Sequence, residues 1–153
     1  DDAYVGGMLH DMGKIIFSTV HPELLEKIRK FCQNKGVPSD TFEDMAGGMN
    51  HAEIGAKIAE KWNFPDTLIA AIRYHHEPNL ESGDHRDLVY AVYLANVFCE
   101  YETGNITFEQ IEGSVLADYG LTTEKNFRMV VEKMSDGFRR ETSRTPLSAS
   151  AKK

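Results

Sequence analysis

Apolar residues recur at helical spacing along most of this chain, and no set of segments alternates with the period of two that half-buried strands require. The first run, Tyr4-Val5-Gly6-Gly7-Met8-Leu9, can be capped by Asp1-Asp2 and predicts a short helix ending at Leu9. Asp11-Met12-Gly13-Lys14 is expected to break it, with Gly13 as a left-handed stop. Ile15-Ile16-Phe17 is apolar but too short to declare its own type, and an extended piece is one option. Pro22 suits a first helical turn, and Leu24, Leu25, Ile28 and Phe31 then predict a helix over residues 22–33. A loop is expected over 34–38. Ser39 or Asp40 can cap a helix through Phe42 and Met45, and Gly47-Gly48 marks a joint.

The cleanest amphipathic segment runs from His51 to Trp62. Ile54, Ile58 and Trp62 form an i, i+4, i+8 stripe, with Ala52, Ala56 and Ala59 beside it. Asn63-Phe64-Pro65 reads as a turn. Residues 66–74 read as a helix with Leu68, Ile69 and Ile72 inward, stopped by Glu77-Pro78. A polar loop over 79–84 precedes a long apolar helix over 86–102, in which Tyr90 and Tyr93 are expected in or beside the core, as is Trp62. Thr107 is expected to cap a helix from Phe108 to Ala117. Thr122 or Thr123 caps a last one from Glu124 to about Arg140. The result is an all-α helical bundle over residues 1–141 with a flexible polar tail over 142–153.

Charge and composition narrow the class. The net charge of −7, with no Lys/Arg cluster in the body of the chain, argues against a nucleic acid or an anionic membrane as partner. No apolar run approaches the roughly 20 residues that span a bilayer, and no signal peptide is evident. Cys32 and Cys99 sit in apolar helical patterns, as buried free thiols of a reducing cytoplasm would. The chain opens on Asp1-Asp2 without a methionine, as a fragment would.

The chemistry concentrates at helix ends. His10-Asp11 closes the first run, His51 opens the amphipathic helix, and His75-His76 closes the helix that follows it. Adjacent residues on a helix point about 100° apart, but a helix end releases them, so both members of each pair can face one point. Imidazoles and a carboxylate converging from several helix ends are what a divalent metal requires. Lys14, one turn beyond Asp11, can hold a phosphate oxygen. Each group alone also has a plainer reading. Imidazoles are favoured at helix C-termini by the macrodipole, and Asp11 can cap the next helix. His21 and His85 read as solvated. The glycines lack the preceding strand and the spacing of a nucleotide-binding loop.

The stretch Gly6-Gly7-Met8-Leu9-His10-Asp11-Met12-Gly13-Lys14 is similar to the "GLLHDIGK" of the HD superfamily of helical metal-dependent phosphohydrolases. Asn50-His51-Ala52-Glu53-Ile54-Gly55, then Trp62, Pro65 and Ile72-Arg73-Tyr74-His75-His76-Glu77-Pro78, continue the pattern. Leu94-Ala95-Asn96 resembles the "LAN" of the HDOD branch, a bacterial signalling-output domain. The resemblance runs over roughly residues 3–100 and implies an HD/HDOD-type helical bundle, of which residues 1–141 are expected to be the C-terminal part. It also implies that His10, Asp11, His51, His75 and His76 can bind metal, and that Lys14 and Asp11 would be catalytic in an enzyme. Two departures stand out. The family's first metal histidine lies upstream of the HD pair, outside this chain, and its closing aspartate is Asn96 here, a neutral and weaker ligand. The loop 79–84 also lacks the Gly-Tyr-Pro of the cyclic-dinucleotide branch.

These readings lead to a cytoplasmic signalling output domain that binds a protein, another signalling domain or a nucleotide ligand without turnover. If it holds an ion, it holds it weakly, and the ion is of the zinc, nickel or iron type. The rival is a metal-dependent phosphohydrolase acting on a nucleotide or cyclic dinucleotide. A purely structural helical scaffold is the third possibility.

Overall fold

The computed structural model describes residues 2–20, 22–23, 26–27, 30, 34 and 50–144. Among them no strand occurs, and the α-helices with both ends described are α1 (Asp2–Leu9), α2 (Met12–Val20), α3 (His51–Lys61), α4 (Asp66–Tyr74), α5 (Arg86–Glu102), α6 (Gly113–Asp118) and α7 (Glu124–Arg144). Short 3-10 turns occupy Pro78–Leu80 and Phe108–Gln110. None of these helices is long and apolar enough to cross a membrane. The chain divides into two compact units, Asp1–Val97 and Phe98–Lys153, with the division falling inside α5.

In the first unit α3 packs against α2 and α4, and α1 packs against α4. Asn50 starts α3 by accepting a hydrogen bond from the Glu53 N–H at 2.9 Å. A Schellman motif ends it. The Phe64 N–H donates to the Ala59 carbonyl, the Asn63 N–H donates to the Glu60 carbonyl, and Asn63 takes the left-handed conformation at φ 56°. Phe64 then folds onto the cluster of Ala56, Ala59, Ile69 and Ile72.

The buried face of α3 is not the expected large-residue stripe. Ala52, Gly55, Ala56 and Ala59 are buried, Ile54 and Ile58 are half-buried, and Trp62 is 60 % exposed, with its ring tilted against Phe64. The two neighbouring helices come so near that only small side chains fit between them, which turns the isoleucines to the flanks and Trp62 outward.

Gly13 likewise departs from expectation. It lies inside α2, which carries Ile15-Ile16-Phe17 as helix, and it has no positive φ. The reason for glycine is proximity: a β-carbon there would stand 1.9 Å from the His51 carbonyl oxygen. Gly55 faces the same crossing, where a β-carbon would meet Ile72 Cγ2 at 3.0 Å and the Gly13 nitrogen at 3.3 Å. On α5, Val89, Tyr90, Val92, Tyr93, Leu94 and Val97 are buried, so both tyrosines are core residues as expected.

The second unit is organised around Phe127. It is fully buried, with the rings of Phe98, Tyr101 and Phe108 at 5.1, 5.1 and 5.7 Å. The single helix expected from Phe108 to Ala117 is split. Thr107 and Gln110 close a capping box around the 3-10 turn, Ile111 takes an extended backbone to bury its side chain, and α6 starts afresh at Gly113. Thr123 rather than Thr122 caps α7, accepting from the Asn126 N–H at 3.3 Å. This helix runs to Arg144, so residues 142–144 are helical rather than tail, and Thr142 donates to the Phe138 carbonyl.

Cys99 is exposed on α5 and unbonded rather than buried. His85 is half-buried, and its Nδ1 is enclosed without a hydrogen-bond partner rather than solvated. Asn34, expected in a loop, is helical, as are the described residues among 22–33. His21, Cys32, the helix through Phe42 and Met45, the Gly47-Gly48 joint and residues 145–153 lie outside the described residues.

Phe127→Ala removes the ring that Phe98, Tyr101 and Phe108 all touch. It should destabilise the protein by about 3–5 kcal/mol, read from the urea midpoint of tryptophan-independent far-UV circular dichroism. A loss below about 1 kcal/mol would contradict this account of the second core.

Candidate metal centre

Three backbone devices bring the helix-end residues together. His10 and Asp11 form the joint between α1 and α2, where the His10 N–H donates to the Gly6 carbonyl and the Lys14 N–H to the Asp11 carbonyl, each at 2.9 Å. His51 is the first residue of α3, held there by the Asn50 cap. His75 is the C-cap of α4, and Pro78, buried, ends the chain's helical course just after His76. The four residues Asp11, His51, His75 and His76 each offer one donor atom, and these atoms all lie within 4.8 Å of one another.

His51 Nε2 is at the middle. It lies 3.2 Å from His75 Nε2, 3.1 Å from His76 Nε2 and 3.2 Å from Asp11 Oδ1. His75 Nε2 is 3.7 Å from the same carboxylate oxygen. Both His51 and His75 are fully buried.

The neighbours of each group fix part of its protonation. His75 Nδ1 lies 2.7 Å from the Ile72 carbonyl, an acceptor only, so the proton is on Nδ1. Burial, outweighing the Asp11 and Ile72 contacts, pushes His75 below its ordinary pKa and leaves it neutral at pH 7, so its Nε2 is a lone pair. His76 is neutral too: burial first, then the nearby His75, His51 and Lys14, depress it to about 2. Asp11 Oδ1 is another acceptor, buried, with the Lys14 ammonium 2.9 Å away. The His75 Nε2 lone pair and this anionic oxygen lie 3.7 Å apart beside the Nε2 atoms of His51 and His76, at a point where a cation could be held. Burial alone would raise the Asp11 carboxyl. The polar contacts of His51, His75 and Lys14, with the Lys14 charge, overcome that and hold it far below the carboxylate range.

The donor set fits a borderline divalent ion: three imidazoles, those of His75 and His76 neutral, and one ionised carboxylate. The Ile72 carbonyl fixes the His75 ring in the tautomer a ligand needs. Lys14 spans both oxygens of Asp11, with Nζ at 2.9 Å from Oδ1 and 3.1 Å from Oδ2.

The HDOD domain family matches residues 1–78, half of the chain. The chain belongs to the HDOD family. This HDOD chain is also 29 % identical over 140 residues to a protein of Treponema pallidum (strain Nichols) described as "Uncharacterized protein". That match covers 92 % of this chain and 27 % of the relative, so the chain spans about a quarter of the relative's length. No solved structure matches it.

Of the expected metal residues, Asp11, His51, His75 and His76 form the group of four. His10 stands beside it. Its Nδ1 lies 2.7 Å from the Gly7 carbonyl, its Nε2 lies 3.4 Å from Asp11 Oδ2, and its ring meets His75 edge-on at 4.8 Å. Asn96 is half-buried on α5. Gly13, read from sequence as a helix stop and as part of the family motif, lies where α2 touches the His51 carbonyl. The signal that could have found it is the run of Ala and Gly on the facing side of α3.

The depressed histidines set a pH dependence. The unfolded chain takes up protons as pH falls through about 6.5, while folded His75 and His76 resist them. Their contribution is therefore complete above that pH and is lost on acidification. Metal-free protein should lose about 1.4 kcal/mol through His76 between pH 7.5 and 5.5, with His75 adding in the same direction, and His76→Gln should flatten the dependence. Equal urea midpoints at both pH values would contradict it.

Proposed function

We propose that this HDOD chain is a bacterial signal-transduction output domain that works by binding, without turnover, around one metal ion held by Asp11, His51, His75 and His76. The observation that carries the reading is the convergence of four donor atoms within 4.8 Å of one another, with the His75 Nε2 lone pair and the Asp11 carboxylate at one point. Imidazole-rich donors favour zinc, nickel or iron over magnesium.

Three features favour binding over hydrolysis. Four protein donors fill a tetrahedral shell, as in structural sites, whereas catalytic sites keep an open position. The Lys14 ammonium is engaged by both oxygens of Asp11 rather than left to meet a phosphate. Asn96 stands where the catalytic relatives in the resemblance carry an aspartate. The partner is then another signalling domain or protein, or a nucleotide ligand, and the compartment is the cytoplasm. One observation favours the hydrolase reading: His10 Nε2 and Asp11 Oδ2 face each other outside the group of four and offer donors for a further ion.

The test is a zinc titration of the whole chain against a chromophoric chelator, with a phosphodiesterase assay on cyclic dinucleotides. One equivalent is expected, with Asp11→Ala weakening it at least about tenfold. No hydrolysis above the Asp11→Ala background is expected with zinc, nickel or iron. Hydrolysis that Asp11→Ala abolishes would establish the enzyme instead. Zinc binding indifferent to Asp11 and His51 would leave only a scaffold.

A further inference from the structure

The centre is assembled from the α1–α2 joint, the first residue of α3 and the end of α4, so its geometry follows from how closely α2 meets α3. That meeting is made by backbone. A β-carbon on Gly13 would lie 1.9 Å from the His51 carbonyl oxygen, 2.8 Å from its carbonyl carbon and 2.9 Å from the Gly55 nitrogen. None of these atoms is the end of a flexible side chain that can swing away. Real β-carbons stay at least 3.0 Å from such atoms, so a side chain at residue 13 must drive the two helices apart by more than 1 Å.

Asp11 travels with α2, because the Lys14 N–H and ammonium both hold it. His51 is thus gripped twice by one segment. Its carbonyl lies on Gly13, and its Nε2 meets Asp11 Oδ1 at 3.2 Å. A shift of 1 Å carries the carboxylate away from the imidazoles, whereas metal centres tolerate deviations of about 0.2 Å in ligand distance.

We propose that Gly13 is a positioning residue for the metal centre: by admitting the His51 carbonyl against its Cα, it sets the distance at which the Asp11 carboxylate meets the His51 imidazole. This rests on reading the cluster as a metal site. Gly55 shares the crossing but is less critical. Its missing β-carbon faces Ile72 Cγ2 at 3.0 Å and the Gly13 nitrogen and Met12 Cγ at 3.3 Å, which need give only by tenths of an ångström.

The test uses the full chain, zinc alone as probe, and Gly137→Ala as control, since a β-carbon on Gly137 meets nothing within 4 Å. Gly13→Ala should weaken zinc binding about 10- to 100-fold, Gly55→Ala less, and Gly137→Ala not at all. In an Asp11→Asn background Gly13→Ala should cause no further loss. Wild-type affinity in Gly13→Ala, or the same fold loss in both backgrounds, overturns the proposal. The His51 ring nitrogen-15 signals of the metal-free protein give a second readout. They should move in Gly13→Ala and stay fixed in Gly137→Ala. If the wild-type chain takes up no zinc, the metal reading falls, and unmoved His51 signals would then overturn the positioning role separately. If Gly13→Ala does not fold, Gly55→Ala is read by both measures, and unaltered affinity with unaltered His51 signals overturns it.

Discussion

The first unit depends on a contact between two backbones, the His51 carbonyl resting on Gly13 with no space for a methyl group. Everything near the site follows from that proximity. It demands small residues along the facing side of α3, which is why Ala52, Gly55, Ala56 and Ala59 are buried and the isoleucines are displaced to the flanks. It brings the α1–α2 joint, carrying Asp11, against the start of α3, carrying His51. The Asn50 cap and the Schellman motif at Asn63 fix both ends of α3, so the helix cannot slide to relieve the crowding.

That proximity has an electrostatic cost, and the site's chemistry is the response to it. Burying three imidazoles keeps those of His75 and His76 neutral. Burying a carboxylate beside them is tolerable because the Lys14 ammonium lies against both of its oxygens. The His75 lone pair and the Asp11 anion share one point, which links the packing of α2 on α3 to the ligand chemistry proposed for the site.

The residues of the site were legible in the sequence because helix ends are legible. Pro78 and the polar joint at Asp11 announce where side chains escape helical spacing. The long α5 was legible throughout, since 17 residues of apolar pattern leave little choice of type. What could not be read was which face of a helix a neighbour covers. Trp62 completes a perfect apolar stripe on paper, yet a helix approached at glycine distance has no room for an indole. Gly13 failed for the same reason, because a glycine that permits close approach looks, in one dimension, like a glycine that stops a helix. Ile111 illustrates the converse: one buried side chain divided a segment whose local pattern was continuous.

The HDOD match supplies the family, whereas the donor set is a property of this chain's geometry, and the two meet in the claim that one ion is held by three imidazoles and one carboxylate. X-ray absorption at the metal edge of the zinc-loaded chain tests that claim most directly. The account predicts four light-atom neighbours at about 2.0–2.1 Å, with the multiple-scattering signature of three imidazoles. A six-coordinate, mostly oxygen shell with one imidazole or none would contradict it.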